Sequence, residues 1–194
     1  MHILAVFAHP SPRCFNRDIL GAVRGTAAAK GHEFTVRDLY AEGFNPVLSE
    51  EDLESFNRGI VPGDIQNMQD AVTAADIVAI IHPIWWFGIP AILKGWIERV
   101  FAYGFAYGHD SRGVKPLLFG KKAIIVNTAG AAEGPVYDAT GFKDAMIKLT
   151  DQGIYNFVGL DIILRRIFYE VSAASDAQRR DMLDLLRNDL QKVL

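Results

Sequence analysis

Three short stretches of this sequence carry residue types suited to holding one ligand. In "HPSPRCFN", His9 and Arg13 offer positive or hydrogen-bonding groups and Asn16 an amide, just ahead of a helical pattern. Free N–H groups and the dipole at a helix start favour an anion. The competing reading is a proline-stiffened turn in which Asn16 caps the helix. In "HPIWWFGIP", Trp85, Trp86 and Phe87 stand in a row between Pro83 and Pro90. No regular element buries three consecutive rings on one face. They offer flat walls to an aromatic ligand, or a surface for a second subunit or a neighbouring loop. In "NTAGAAEGPVYDATG", small residues let backbone N–H groups approach a polar or anionic edge, and Tyr137 adds a hydroxyl. A flexible surface loop would use the same residues. Neither G-x-G-x-x-G nor G-x-x-x-x-G-K-[ST] is present, so a dinucleotide fingerprint and a P-loop are both excluded.

The elements that must bring these stretches together alternate. "HILAVFA" is a continuous apolar run, as a strand buried on both faces requires. A helical pattern with Ile19, Leu20, Val23 and Ala27 follows, then a strand, "EFTVRDLY". Residues 41–63 read as loop, with Pro46, Pro62 and three glycines. "DIQNMQDAVTAA" reads as a helix and "DIVAIIH" as the third strand. Pro90 suits the first position of a helix whose stripe is Ile92, Leu93, Trp96, Ile97, Val100 and Phe101. "KAIIVNT" is a fourth strand, residues around 141–152 a helix, and "LDIILRRIFYEV" a fifth strand. Ser175 and Gln178 form a capping box for the last helix. This alternation predicts a flavodoxin-like α/β fold: a doubly wound five-stranded parallel sheet, order 2-1-3-4-5, with helices on both faces. In such sheets ligands bind beyond the carboxyl ends of the strands, where all three stretches fall.

Bulk properties narrow the class. With 194 residues, half of them hydrophobic, the chain suits a single domain spanning 1–194. A net charge of −3 gives no general attraction to nucleic acid or anionic membrane. One cysteine, Cys14, leaves no intramolecular disulfide and argues against a metal-thiolate cluster, so no metal is expected. It fits a reducing, cytoplasmic setting. No apolar run approaches the roughly 18 residues of a membrane span, and the first residues lack the basic start of a signal peptide, so an integral membrane protein is not expected.

Taken together, the three stretches describe a ligand with a phosphate, a flat ring system and a polar ring edge, which is a flavin nucleotide. The segments "AHPSPRCFN", "DLY…FNP", "AADIVAIIHPIWWFGIPAILKGWIERVF…FAY" and "TAG…VY" resemble the NAD(P)H:quinone oxidoreductases of the DT-diaphorase and modulator-of-drug-activity type. The likeness covers most of residues 3–140 in order. It implies bound FAD or FMN, a homodimer with sites at the interface, and ping-pong transfer of two electrons from NADH or NADPH to a quinone. Residue by residue, it implies that His9, Arg13, Phe15 and Asn16 hold the pyrophosphate. Pro83, Ile84, Trp85, Trp86 and Phe87 would line the isoalloxazine, with Trp86 and Phe87 also flanking nicotinamide and quinone. Thr128, Ala129 and Gly130 would face the flavin N1–O2 edge. Tyr137 would belong to a charge relay, and Tyr107 would stand at the substrate mouth.

The sequence departs from that pattern in four places. Lys143 stands where the family has a histidine six residues after the relay tyrosine; it either replaces that cation or is a solvated helix residue. Thr128-Ala129-Gly130 replaces Thr-Gly-Gly, and the segment up to Tyr137 is about two residues longer. Cys14 replaces a serine, as a space-filler or as a thiol tuned by the helix start. His109 replaces a second tyrosine of the substrate mouth. Two other functions share these residues: a flavin-binding subunit of a membrane transporter, and a flavodoxin-like electron carrier.

Overall fold

The computed structural model describes residues 1–111, 113–134 and 140–194. Its elements run β1 (His2–Phe7), α1 (Phe15–Ala29), β2 (Glu33–Asp38), α2 (Glu50–Asn57), α3 (Gly63–Ala74), β3 (Ile77–Pro83) and α4 (Ala91–Val100). Then come β4 (Tyr107–Asp110), β5 (Gly113–Pro116), β6 (Lys122–Thr128), α5 (Phe142–Ile147), a π-helical segment Lys148–Asn156, β7 (Asp161–Phe168) and α6 (Asp176–Val193). Five strands form one sheet in the order β2-β1-β3-β6-β7, every pair parallel. This is the expected 2-1-3-4-5 order, with a small antiparallel hairpin, β4-β5, inserted before the fourth sheet strand.

The apolar strands sit inside because each feeds two cores. On β1, Leu4 and Val6 face α3, α4 and the π segment, where Val72, Trp96 and Tyr155 are buried. Ile3, Ala5 and Phe7 face α1 and α6, meeting Ile19, Val23, Leu186 and Leu190. The stripe from Ile92 to Phe101 is buried, Trp96 completely.

The structure differs from the sequence expectations in six places. Residues 41–63 are not all loop: α2 forms there, started by a reciprocal capping box of Ser49 and Asp52 that the short helix hides in sequence. The hairpin of β4 and β5 had no alternating apolar signature, because its residues are largely exposed. Pro90 is the N-cap of α4, one residue earlier than expected. Asn16 does not cap α1; Cys14 holds that position, and Asn16 lies inside the helix, buried. The fifth strand ends at Phe168, and Glu170 takes a left-handed φ of 54° that breaks the extended run. The helix around 141–152 begins as expected but continues in π geometry to Asn156.

Candidate active site

The ends of β1, β3, β6 and β7 open onto one cavity of about 760 Å³. From the first loop it takes His9, Arg13, Cys14, Phe15 and Asn16; from the second Pro83, Ile84, Trp85 and Trp86; from the third Thr128 and Gly130. Val171, Ser172 and Arg179 complete it from the segment after β7. This fourth contribution was not among the residues expected from the sequence. Its available signal was positional: a strand end followed by the Ser175 capping box places Arg179 in the first turn of a helix at the same sheet edge.

At the α1 end the groups are prepared for an anion. The backbone N–H of Ser11 donates to His9 Nδ1 at 3.0 Å, so in neutral His9 the proton sits on Nε2, which is left as a donor. Partial burial holds the His9 pKa below its ordinary value. Arg17 does not line this cavity: it donates to Asp38 at 2.7 Å and lies 4.2 Å over the Phe7 ring. Asn16 Nδ2 donates to Thr128 Oγ1 at 2.8 Å, tying the first loop to the third. Among the described residues Asn16 Oδ1 is buried without a partner, as is Arg179 Nε. A polar ligand in the cavity would supply partners for such atoms, which are costly to leave unpaired.

The aromatic row is resolved by a tight turn. Trp85 and Gly88 exchange two backbone hydrogen bonds, at 3.1 and 3.0 Å. Between them Trp86 and Phe87 take φ of 51° and 56°, the sign pattern of a type I′ turn. Left-handed backbone costs a non-glycine residue roughly 1–2 kcal/mol. The strain sends the three rings apart. Trp85 stays at the cavity, 6.1 Å from His9 between ring centroids. Trp86 lines it while remaining 98 % exposed. Phe87 turns the other way, 4.6 Å from Phe142 and packed on Ile84 and Met146, so it does not line this cavity.

Other expected site residues are placed elsewhere. Ala129 is buried and its N–H donates to Phe168 O at 2.8 Å, so that amide is not available to a ligand. Lys143 lies at the start of α5, its ammonium 2.6 Å from Glu133 and 5.8 Å from the Tyr169 ring centre. Tyr107 and His109 are on the β4–β5 hairpin, both near Tyr103, with Tyr107 also against Phe157. Tyr107 lines a different groove, of about 520 Å³ between α4 and the π segment, and His109 lines neither cavity. Tyr137 lies outside the described residues. Among the described residues no His/Cys/Asp/Glu group is arranged to hold a metal ion, and no helix is long and apolar enough to cross a membrane.

Beneath the cavity floor lies a buried imidazole. His82 is held to a pKa of about 4, first by desolvation and then by the charge of Arg165, against a hydrogen bond to the Pro83 carbonyl. A depressed histidine pKa makes the unfolded chain the better proton binder between the two values. Stability is therefore complete above about pH 6.5 and is lost as pH falls toward 4, by about 3 kcal/mol in all. Urea unfolding across that range should show the loss, and His82→Gln should flatten it.

A family model for the flavodoxin-like fold matches residues 1–192. The chain is 34 % identical over its whole length to an uncharacterised NAD(P)H oxidoreductase of Haemophilus influenzae, covering 96 % of that protein. It is 32 % identical to the ribosyldihydronicotinamide dehydrogenase (quinone) of Homo sapiens, covering 98 % of this chain and 91 % of that one. The solved NAD(P)H:quinone oxidoreductase of Methanothermobacter marburgensis superposes with a TM-score of 0.89 at 28 % identity, over all of this chain and 99 % of its own. A flavodoxin-like sheet, a cavity built from its strand ends and full-length likeness to these enzymes agree: the chain belongs to the flavodoxin-like NAD(P)H:quinone oxidoreductase family.

Proposed function

We propose that this protein is an NAD(P)H-dependent flavoprotein quinone reductase, residues 1–194 forming one flavin-binding domain that works in the cytoplasm. The observation that carries the reading is the single cavity in which an anion end, a ring wall and a polar edge meet. A bound flavin would supply the redox chemistry, two-electron hydride exchange between NADH or NADPH and a quinone. The chain's own residues bind and orient. His9 Nε2–H, Arg13, Arg179 and the start of α1 hold phosphate; Asn16 Oδ1 accepts from a ligand hydroxyl. Trp85 and Trp86 give the flat surface against which ring and nicotinamide stack, the positioning that near-attack geometry needs. Thr128 and Gly130 would face the polar ring edge, where reduction gathers negative charge; a part for Tyr137 there rests on the family resemblance alone.

FAD is favoured over FMN by what lies past the phosphate end. A second cavity of about 370 Å³ shares Arg13, Cys14, Phe15 and Arg179 with the first and continues along Pro12, Arg17 and Asp18. An adenosine needs such an extension. A homodimer is favoured by the exposed apolar surface: Tyr103 and Phe157 lie open beside Tyr107, Phe119 is exposed, and Trp86 is bare. A second copy covering these rings would carry Tyr107 and His109 to the mouth of its neighbour's cavity.

Release of the cofactor by heat, with its mass measured, tests the reading together with menadione reduction by NADH and NADPH in parallel. FAD in stoichiometric amount and rapid turnover are expected. A colourless protein that takes up neither FAD nor FMN overturns it. In stopped-flow reduction of the bound flavin by NADH or NADPH, Lys143→Ala should leave the rate within roughly twofold, because its charge is already met by Glu133 outside the cavity. A tenfold slower reduction would return Lys143 to the role of the missing histidine.

A further inference from the structure

The peptide that leads from β3 into the strained turn is gripped on both sides. Its N–H, from Ile84, donates to Thr128 O at 2.7 Å. Its carbonyl, from Pro83, accepts from His82 Nδ1 at 2.9 Å. Behind His82 runs a file of buried and half-buried polar groups with one possible direction. Arg165 Nε donates to Asp151 Oδ2 at 2.7 Å, and Nη2 pairs with the other Asp151 oxygen and with Thr150 Oγ1. Arg165 Nη1 donates to Asn127 Oδ1 at 2.7 Å. Asn127 Nδ2 lies 2.9 Å from His82 Nε2. A guanidinium only donates, so the Asn127 oxygen must face Arg165 and its NH₂ must face His82. His82 Nε2 is then an acceptor, and the ring proton must sit on Nδ1. That is the tautomer able to hold the Pro83 carbonyl.

We infer that Arg165 and Asn127 act through His82 as positioning residues that lock the Pro83–Ile84 peptide plane and so aim the Trp85–Trp86 wall of the cavity. His82 and Asn127 are 3 % and 1 % exposed and do not line the cavity, whereas Pro83, Ile84, Trp85 and Trp86 do. Four elements meet at this file: β3, β6, β7 and the π segment. The groups facing His82 from them are the Asn127 amide, Arg165 with its partner Asp151, and Thr150. Asp151 offsets the guanidinium charge, so the file can remain buried with His82 neutral. The π geometry fits this role: it holds Thr150 and Asp151 in one segment against Arg165. The strained turn needs such support, since two left-handed aromatic residues persist only where their surroundings fix them.

This inference rests on the flavin reading for its effect on binding, but the tautomer does not. ¹⁵N-histidine NMR of the wild-type protein reads the His82 ring directly, and the Nδ1–H form is expected. In Arg165→Met the Asn127 amide is free to turn, and the Nε2–H form should appear. FAD titrated into apoprotein should bind about tenfold more weakly in His82→Phe and Arg165→Met, the scale on which groups that orient a binding residue from behind commonly act. A purely structural role would lower the melting temperature without changing FAD affinity in the folded protein. An Nε2–H tautomer in the wild type overturns the inference whether or not the variants fold. So do folded variants with wild-type affinity. Failure of the wild type to bind FAD refutes the flavin reading instead, and leaves the tautomer result to decide the file.

Discussion

Gly95→Ala is expected to destabilise the protein by about 3 kcal/mol or more, at the upper end for overpacking, because its new methyl has nowhere to go. A Cβ at Gly95 would stand 2.0 Å from the Pro46 carbonyl oxygen and 2.6 Å from the Pro46 carbonyl carbon. Those are backbone atoms, so no side-chain rotation relieves the clash. Glycine here is a space requirement of α4, against which the 44–48 segment is laid. The control is Gly25→Ala on α1, where nothing lies within 4 Å of the added carbon. There alanine should stabilise by about 0.5–1 kcal/mol through helix propensity. Chemical denaturation of both variants separates crowding from propensity. Equal effects of the two would show that the loop yields to α4. The result bears on function because α4 begins directly after the Trp85–Gly88 turn, and a displaced α4 moves that turn with it.

Arg99→Met should cost about 3–5 kcal/mol at neutral pH, the usual penalty for breaking a buried ion pair from one side. Arg99 and Asp52 are each 6 % exposed in their side chains and meet through two hydrogen bonds, at 2.9 and 3.0 Å. Arg99 also donates to the Asn45 carbonyl and to Asp64, both at 2.8 Å, so one side chain ties α4 to α2, α3 and the 44–48 segment. The Arg99 side chain beside Asp52 holds its carboxyl below the ordinary carboxylate range, against the opposing effect of burial. In the wild type this contribution is present above the unfolded carboxylate value, near pH 4, and is lost as pH falls through the lower folded value. In the variant Asp52 is buried without its cation and takes up a proton more readily. The gap between the two proteins should therefore narrow as pH drops from 7 toward 4. A constant gap would mean that the loss is packing around the methylene stem rather than charge.

The primary sequence determined the sheet order, because strands buried on both faces must be continuous apolar runs and the spacers between them carry helical stripes. It also pointed to the edge at which the cavity opens, since the loops after the first, third and fourth strands share one edge in this topology. His9, Asn16, Trp85 and Thr128 were legible on that ground as residues of one site, and the structure gathers them in one cavity. What the sequence could not convey was direction. Asn16 has the residue type of a cap, but only the fold shows that it reaches Thr128, 112 positions away. Trp85, Trp86 and Phe87 are neighbours in the chain, yet a left-handed turn, which three aromatic residues do not announce, sends Phe87 away from the cavity. The residues of the His82–Asn127–Arg165 file were invisible for a related reason. Their partners lie on different strands, and hydrogen-bond direction arises only when a guanidinium, an amide and an imidazole are packed where water cannot compete.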